Sequence, residues 1–336
     1  MMDDRPKSAT ENFEHRSEAD AIEILGDFGA VRGLETLVGN GDDAAVFRSN
    51  SSLVFCVDAL VEGEDFRRDW ATFSDIGWKL GATNLSDLAA MGATPLMGFL
   101  TLGMPDDVSE ADLEALRRGL EDVWCPHGQI HIAGGDLSRT TGPLWASLHL
   151  VGQMSAEEPM RRCSVKDGDL ICVSGVLGEA AAGLHQLESG MQVDFPDFRH
   201  AQLRPTPRIS LGTTLARSGF VKSAIDLSDG LLVDIRRLVG SEYGATLSAS
   251  RLPVRDELKV AYPSRWLAWA LKGGEDFELI FCVARENLAA LEALEGIEQF
   301  TVIGEVTSDK RLLVDDEEMV GPLGFDHFQS GNDGQD

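Results

Sequence analysis

The chain has 336 residues, 43% apolar and 25% charged, with 56 Asp and Glu against 29 Lys and Arg and a formal charge of −27. The length allows two domains with substantial cores, and so acidic a balance excludes the basic patches that hold nucleic acid or anionic membranes. No apolar run approaches the ~20 residues of a membrane span, and the five scattered cysteines have no CxxC or Cys/His zinc spacing.

Residues 1–17 read as a polar lead without the apolar core of a secretion signal, which places the protein in the cytoplasm. A short amphipathic helix is predicted around Glu18–Gly29. From there strands and helices alternate. "SSLVFCVDALV" has strand character, "FSDIGWKLGATNLSDLAAM" a helical pattern, and "LMGFLTLGM" reads as a buried strand. "SEADLEALRRGLEDVWCPHG" is a capped amphipathic helix, and "QIHIAGGD" and "LWASLHLVGQM" are strands. The polar tract "SAEEPMRRCSVKDGD" marks a boundary between residues 18–154 and 155–330, with 331–336 a tail. Beyond it "LICVSG" reads as a strand and "GEAAAGLHQLESG" as a helix closing on Gly190. Mixed strand and helix signals follow, giving two α/β or α+β halves. Cys172 and Cys282 fall in apolar runs and are expected to be buried thiols.

Carboxylates recur where apolar runs end. Asp42 and Asp43 stand in the glycine-rich turn "GNGDDAAVF", Asp58 ends "LVFCVD", and Asp136 follows two glycines in "IHIAGGD". Asn84 and Asp87 lie three apart on one helix face. In "VKSAIDLSDGLLVDI", Asp226, Ser228 and Asp229 fall where a strand hands over to a helix. Each Asp taken alone is an ordinary turn former or helix cap. Strand ends in α/β folds point toward a common crevice, however, and acids gathered there repel unless cations lie between them. All-oxygen ligands suit Mg²⁺ or Mn²⁺, and Mg²⁺ completes its shell with substrate phosphates. A metal–nucleotide partner follows, although no Walker or kinase motif is present. "GGD" at 134–136 and the turn in "VSGVLGEAAAGL" read either as phosphate contacts or as simple turns. Arg162 reads either as a phosphate or adenine contact or as half of a solvated Arg161–Arg162 pair.

In order, "GDDAAV", "VDALVEG", "NLSDLAAMGATP", "AGGDLSR", "IDLSDGL", "GGEDFELIF" and "GFDHF" resemble the thiamine-monophosphate kinase family, of the superfamily related to aminoimidazole ribonucleotide synthetase. The resemblance spans residues 41–328. It implies a two-domain fold with an N-terminal sheet that pairs in a homodimer and a C-terminal α/β sandwich. It implies phosphorylation of thiamine monophosphate by ATP with several Mg²⁺ ions. Carried over, the metal ligands are Asp43, Asp58, Asp87, Asp136, Asp226 and Asp229, and the ATP contacts are Gly135, Asp136, Arg162 and Ser228. Asp65, Glu275 and Phe325 fall in the segments that line the substrate site; a ring face at 325 suits a flat cation. Five positions depart from the family, Phe277 in place of a Tyr being the mildest. Cys56–Val57 replaces a hydroxyl-rich pair, Asp65 stands where His is usual, and Leu137 replaces a Thr.

Overall fold

The computed structural model describes residues 34–38, 46–190 and 195–325. The helix expected at Glu18–Gly29 and the predicted ligand Asp43 lie outside the described residues. By contact density the chain divides into two compact units that interleave along the sequence. One holds 1–50, 57–81 and 96–149; the other holds 51–56, 82–95 and 150–336.

A ribbon of β1 (Leu34–Val38) and β2 (Val46–Ser49) precedes β3 (Leu53–Val61), α1 (Phe73–Met91), β4 (Ala93–Met104), α2 (Glu110–Trp124), β5 (His131–Arg139) and β6 (Trp145–Met154). Both helices run where the 3.6-residue spacing of apolar positions predicts them. The start of α2 is set by a capping box: the Ser109 hydroxyl accepts the Asp112 N–H, and the Asp112 carboxylate accepts the Ser109 N–H. α2 carries the crossover that lets β4 and β5 run parallel. The sheet order is β3-β6-β4-β5, so β3 and β5 are its edges.

The remainder comprises β7 (Leu170–Ser174), α3 (Glu179–Ser189), α4 (Pro196–Leu203), α5 (Ile209–Ser218), β8 (Val221–Asp226), α6 (Leu231–Val239), β9 (Gly244–Leu247), α7 (Asp256–Ala261), α8 (Trp266–Lys272), β10 (Leu279–Val283), α9 (Leu288–Glu292), β11 (Phe300–Thr307), β12 (Leu312–Val314) and β13 (Glu317–Glu318). Its strands form one sheet in the order β13-β12-β9-β11-β7-β10-β8. Neighbours are antiparallel except β12 beside β9. Every residue of β7 and β10 is buried, which is why "LICVS" and "LIFCV" are unbroken apolar runs without polar alternation. Ile171, Ile225, Leu231, Ile235 and Ile280 form the core on one face with Cys282, each such side chain stabilising by about 1.5–3 kcal/mol. Cys172 and Cys282 are buried as expected, and burial pushes the Cys172 thiol up to about 12. Cys172 pairs across the strands with Phe281 and Cys282 with Ile171, so the two thiols face opposite sides of the sheet. Among the described residues no helix is long and apolar enough to cross a membrane.

Candidate functional site

β8 ends on Asp226, and the chain turns through Leu227–Gly230 into α6. Asp226 is buried, its Oδ2 accepting the Ser86 hydroxyl at 2.9 Å. Ser86 is the neighbour of Asp87 on α1, so Asp87, Asp226, Ser228 and Asp229 all belong to one compact unit. Neither acid of the turn caps α6. The cap position is Gly230, without a side-chain capping bond, and Asp229 pairs instead with Arg237.

The turn is held from inside the helix by Asp234, a residue that sequence reasoning missed. Its carboxylate is fully buried, and Oδ2 accepts the backbone N–H of Ser228 at 3.1 Å and of Asp229 at 3.0 Å. Oδ1 accepts from Arg237 at 2.8 Å. Burial is the main cause that raises Asp234 to about 6; the Asp229 N–H opposes it, and the charges of Asp226 and Asp229 add to it. The available signal was an acid in the first helical turn, where unpaired N–H groups favour an anion.

Two further segments close on the same turn. The Glu275 N–H donates to Ser228 O at 2.8 Å, the Phe277 N–H to Leu227 O at 2.9 Å, and the Phe325 N–H to Asp229 O at 2.9 Å. The last contact needs glycine before Phe325, because a Cβ on Gly324 would stand 2.3 Å from Asp229 O. Glu275 and Phe277 hold positive φ angles of 68° and 48°, a strain of about 1–3 kcal/mol each of the sort that clusters at functional sites. Phe325 is half exposed. The predicted substrate residues Glu275 and Phe325 therefore flank the predicted metal and nucleotide residues. Arg162 lies exposed in a turn whose next residue, Cys163, donates its N–H to Leu238 O of α6 at 2.8 Å.

The acids of "GGEDFEL" do three different jobs. Glu275 accepts from the Gln202 amide. Asp276 accepts the N–H groups of Gly178 at 2.7 Å and Ala180 at 3.1 Å, capping α3 from a distant part of the chain. The turn in "VSGVLGEAAAGL" is therefore a helix start whose donors are already taken by a carboxylate. Glu278 is buried and bound bidentately by Arg208 at 2.6 and 2.5 Å. A cavity of about 300 Å³ lined by Glu179, His200, Arg204, Arg208, Asp276 and Glu278, among others, holds none of the predicted ligands. Two pairs of its wall charges, Arg208 with Glu278 and Arg255 with Glu179, bind each other.

Burial is the main cause that raises Asp276 to about 7, against the two N–H groups it accepts. A carboxyl raised on folding contributes stability at low pH that is lost as pH climbs from about 4 through about 7. Asp276→Asn removes that titration. The stability gap between the variant and the native chain, read from urea midpoints, is expected to be wider at pH 5 than at pH 8; a gap independent of pH would show that Asp276 titrates normally.

In the other unit, Asp58 lies on β3 and Asp136 on β5, the two edges of one sheet. Three strand spacings, roughly 14 Å, separate them, so one ion does not bridge the two within that sheet. The Asp58 carbonyl accepts the Ser147 hydroxyl at 3.3 Å, and Asp136 is exposed. Gly135 has a packing reason to be glycine: a Cβ would meet Leu100 O on β4 at 1.8 Å. The Asp65 carboxylate accepts the Val61 N–H at 2.7 Å and closes its own turn. Val57 is exposed, while the Cys56 thiol is turned toward Asn84 O at 3.4 Å. Among the described residues no three Asp, Glu, His or Cys side chains are already gathered around one point as a metal cage.

Models of the AIR synthase related protein family match the chain in two blocks, the N-terminal domain over residues 41–154 and the C-terminal domain over 166–317. A thiamine-monophosphate kinase of Rhodopirellula baltica is 36% identical over 313 residues, 88% of this chain and 93% of that relative. Among solved structures, thiamine-monophosphate kinase from Stenotrophomonas maltophilia K279a is 37% identical with a TM-score of 0.77, covering 84% of this chain and 92% of that one. AaThiL complexed with AMPPCP and TMP is 28% identical with a TM-score of 0.72, over 83% of this chain and 89% of that one.

Proposed function

Because the chain belongs to the thiamine-monophosphate kinases of the AIR synthase related family, we propose that it transfers the γ-phosphate of ATP directly to thiamine monophosphate, giving thiamine diphosphate and ADP. The observation that carries this reading is the turn 226–230. It presents two carboxylates and a hydroxyl, is stapled by Asp234, and is flanked by Glu275 and Phe325.

The donors at this turn fit a hard divalent ion. All are oxygens, and Asp226 and Asp229 both push Asp234 upward by their charge. Asp87, Asp226 and Asp229 would hold magnesium, with Asp43, Asp58 and Asp136 available to further ions, and the metal would supply charge neutralisation for the phosphates. One or two carboxylates per ion suffice, since phosphates and water complete the shell. Arg162 and Ser228, with Gly135 and Asp136, hold the nucleotide. Glu275 orients the thiamine moiety and the Phe325 ring meets its cationic, flat surface.

The acceptor is a phosphate, ionised at neutral pH, so no residue need remove a proton. The bond from the γ-phosphorus to its bridging oxygen breaks as one from a terminal oxygen of thiamine monophosphate forms. The chain's part is to align the two phosphates and exclude water. Phe55 and Val57, 71% and 54% exposed on the edge strand β3, support pairing of two copies through this sheet; a monomer mass in sedimentation would rule that pairing out. The reaction is tested by offering ATP and Mg²⁺ with thiamine monophosphate or with free thiamine. Thiamine diphosphate is expected from the monophosphate alone, and no product from either would refute the assignment.

A further inference from the structure

We infer that Arg237 is a built-in counter-cation that competes with a divalent ion for Asp229, and so sets how tightly the turn takes metal. The inference rests on the reading of Asp229 as a metal ligand. Its basis is the way one guanidinium is shared. Arg237 Nη1 donates both to Asp229 Oδ2 and, at 2.8 Å, to Asp234 Oδ1. It reaches both by pointing back along α6, the direction helical side chains prefer.

The two carboxylates are not equivalent. Asp234 is fully buried and takes two backbone N–H groups on its other oxygen. It is fixed in place as the staple of the turn. The Asp229 side chain is 26% exposed and can be reached from solvent. Asp226, Asp229 and Asp234 stand together at this turn, and Arg237, paired with Asp229 and Asp234, offsets part of their repulsion when no metal is bound. An ion arriving at Asp229 must take over the oxygen that Arg237 holds. The guanidinium need not be expelled, because Asp234 keeps it at the turn. It remains close as a like charge, however, and weakens the ion's hold. Arg237 is thus a positioning and affinity-setting residue and does not touch the reacting atoms.

The test uses the full-length, metal-stripped chain and Mn²⁺ alone, titrated calorimetrically without nucleotide. Arg237→Gln is expected to tighten Mn²⁺ binding about three- to fivefold, the size of a partly exposed ion pair. Arg237→Lys, which keeps the charge, should stay close to the native affinity. In an Asp229→Asn background, where there is no shared oxygen to compete for, the Gln substitution should have a clearly smaller effect. Melting temperatures of all variants check that each is folded. If Asp229→Asn weakens Mn²⁺ binding but Arg237→Gln leaves it unchanged or weaker, the counter-cation role is overturned and the metal site stands. If Asp229→Asn does not alter Mn²⁺ binding, both fail.

Discussion

Asp229→Asn is expected to lower turnover about 10²- to 10³-fold while shifting the melting temperature by only a few degrees. The side chain keeps its shape, and the charge contact that is lost is the partly exposed pair with Arg237, worth about 0.2–1 kcal/mol to folding. Its share in neutralising the phosphates is larger. Removing a ligand that holds a catalytic cation forfeits part of several kcal/mol of transition-state stabilisation, and about 3–4 kcal/mol corresponds to the stated loss of rate. The measurement is kcat at saturating ATP and Mg²⁺, with thermal melting in parallel. Full activity with an ordinary Mg²⁺ requirement would remove the turn from the active site.

Arg208→Met is expected to do the reverse, harming the fold before the chemistry. The Glu278 side chain is only 6% exposed, bound bidentately by Arg208 and by the Ser174 hydroxyl. Taking away the guanidinium leaves a buried carboxylate uncompensated, at a cost of about 3–5 kcal/mol. For a unit of this size each kcal/mol moves the melting temperature by about 2–4 °C, so a fall of roughly 6–20 °C should appear by calorimetry. Replacing both partners, Arg208→Met with Glu278→Met, should recover much of the loss, because no orphaned charge remains. A single variant that melts within 2 °C of the native chain would show that the pair is not structural.

These expectations separate what was legible in the residues from what was not. The motif "GGEDFEL" announced a site, yet its three acids have separate partners, with Glu275 accepting from Gln202. Asp276 caps α3 and Glu278 anchors α5's approach through Arg208. The segment is irregular, with positive φ at Glu275 and Phe277, and the partner of each acid comes from residues 70 or more positions away. The glycine turn before α3 was ambiguous for the same reason. Its N–H groups could meet a phosphate or a carboxylate, and the fold supplied the carboxylate. Asp234 and Arg237 were passed over because their spacing from Asp229 has meaning only once the turn before α6 is closed.

Local physics was readable directly. The 3.6-residue period placed α1 and α2, the capping box started α2, and uninterrupted apolar runs marked β7 and β10 as buried. Those features depend on contacts within a few residues, so composition and spacing alone determine them. The carboxylates at strand ends, and the divalent cation they imply, were readable too. The order of the seven-stranded sheet, the edge-to-edge separation of Asp58 from Asp136, and the stapling of the 226–230 turn were decided by tertiary structure. Each depends on which distant segments meet, and that is settled by the burial of whole faces and the pairing of buried charges, neither of which a short stretch of sequence contains.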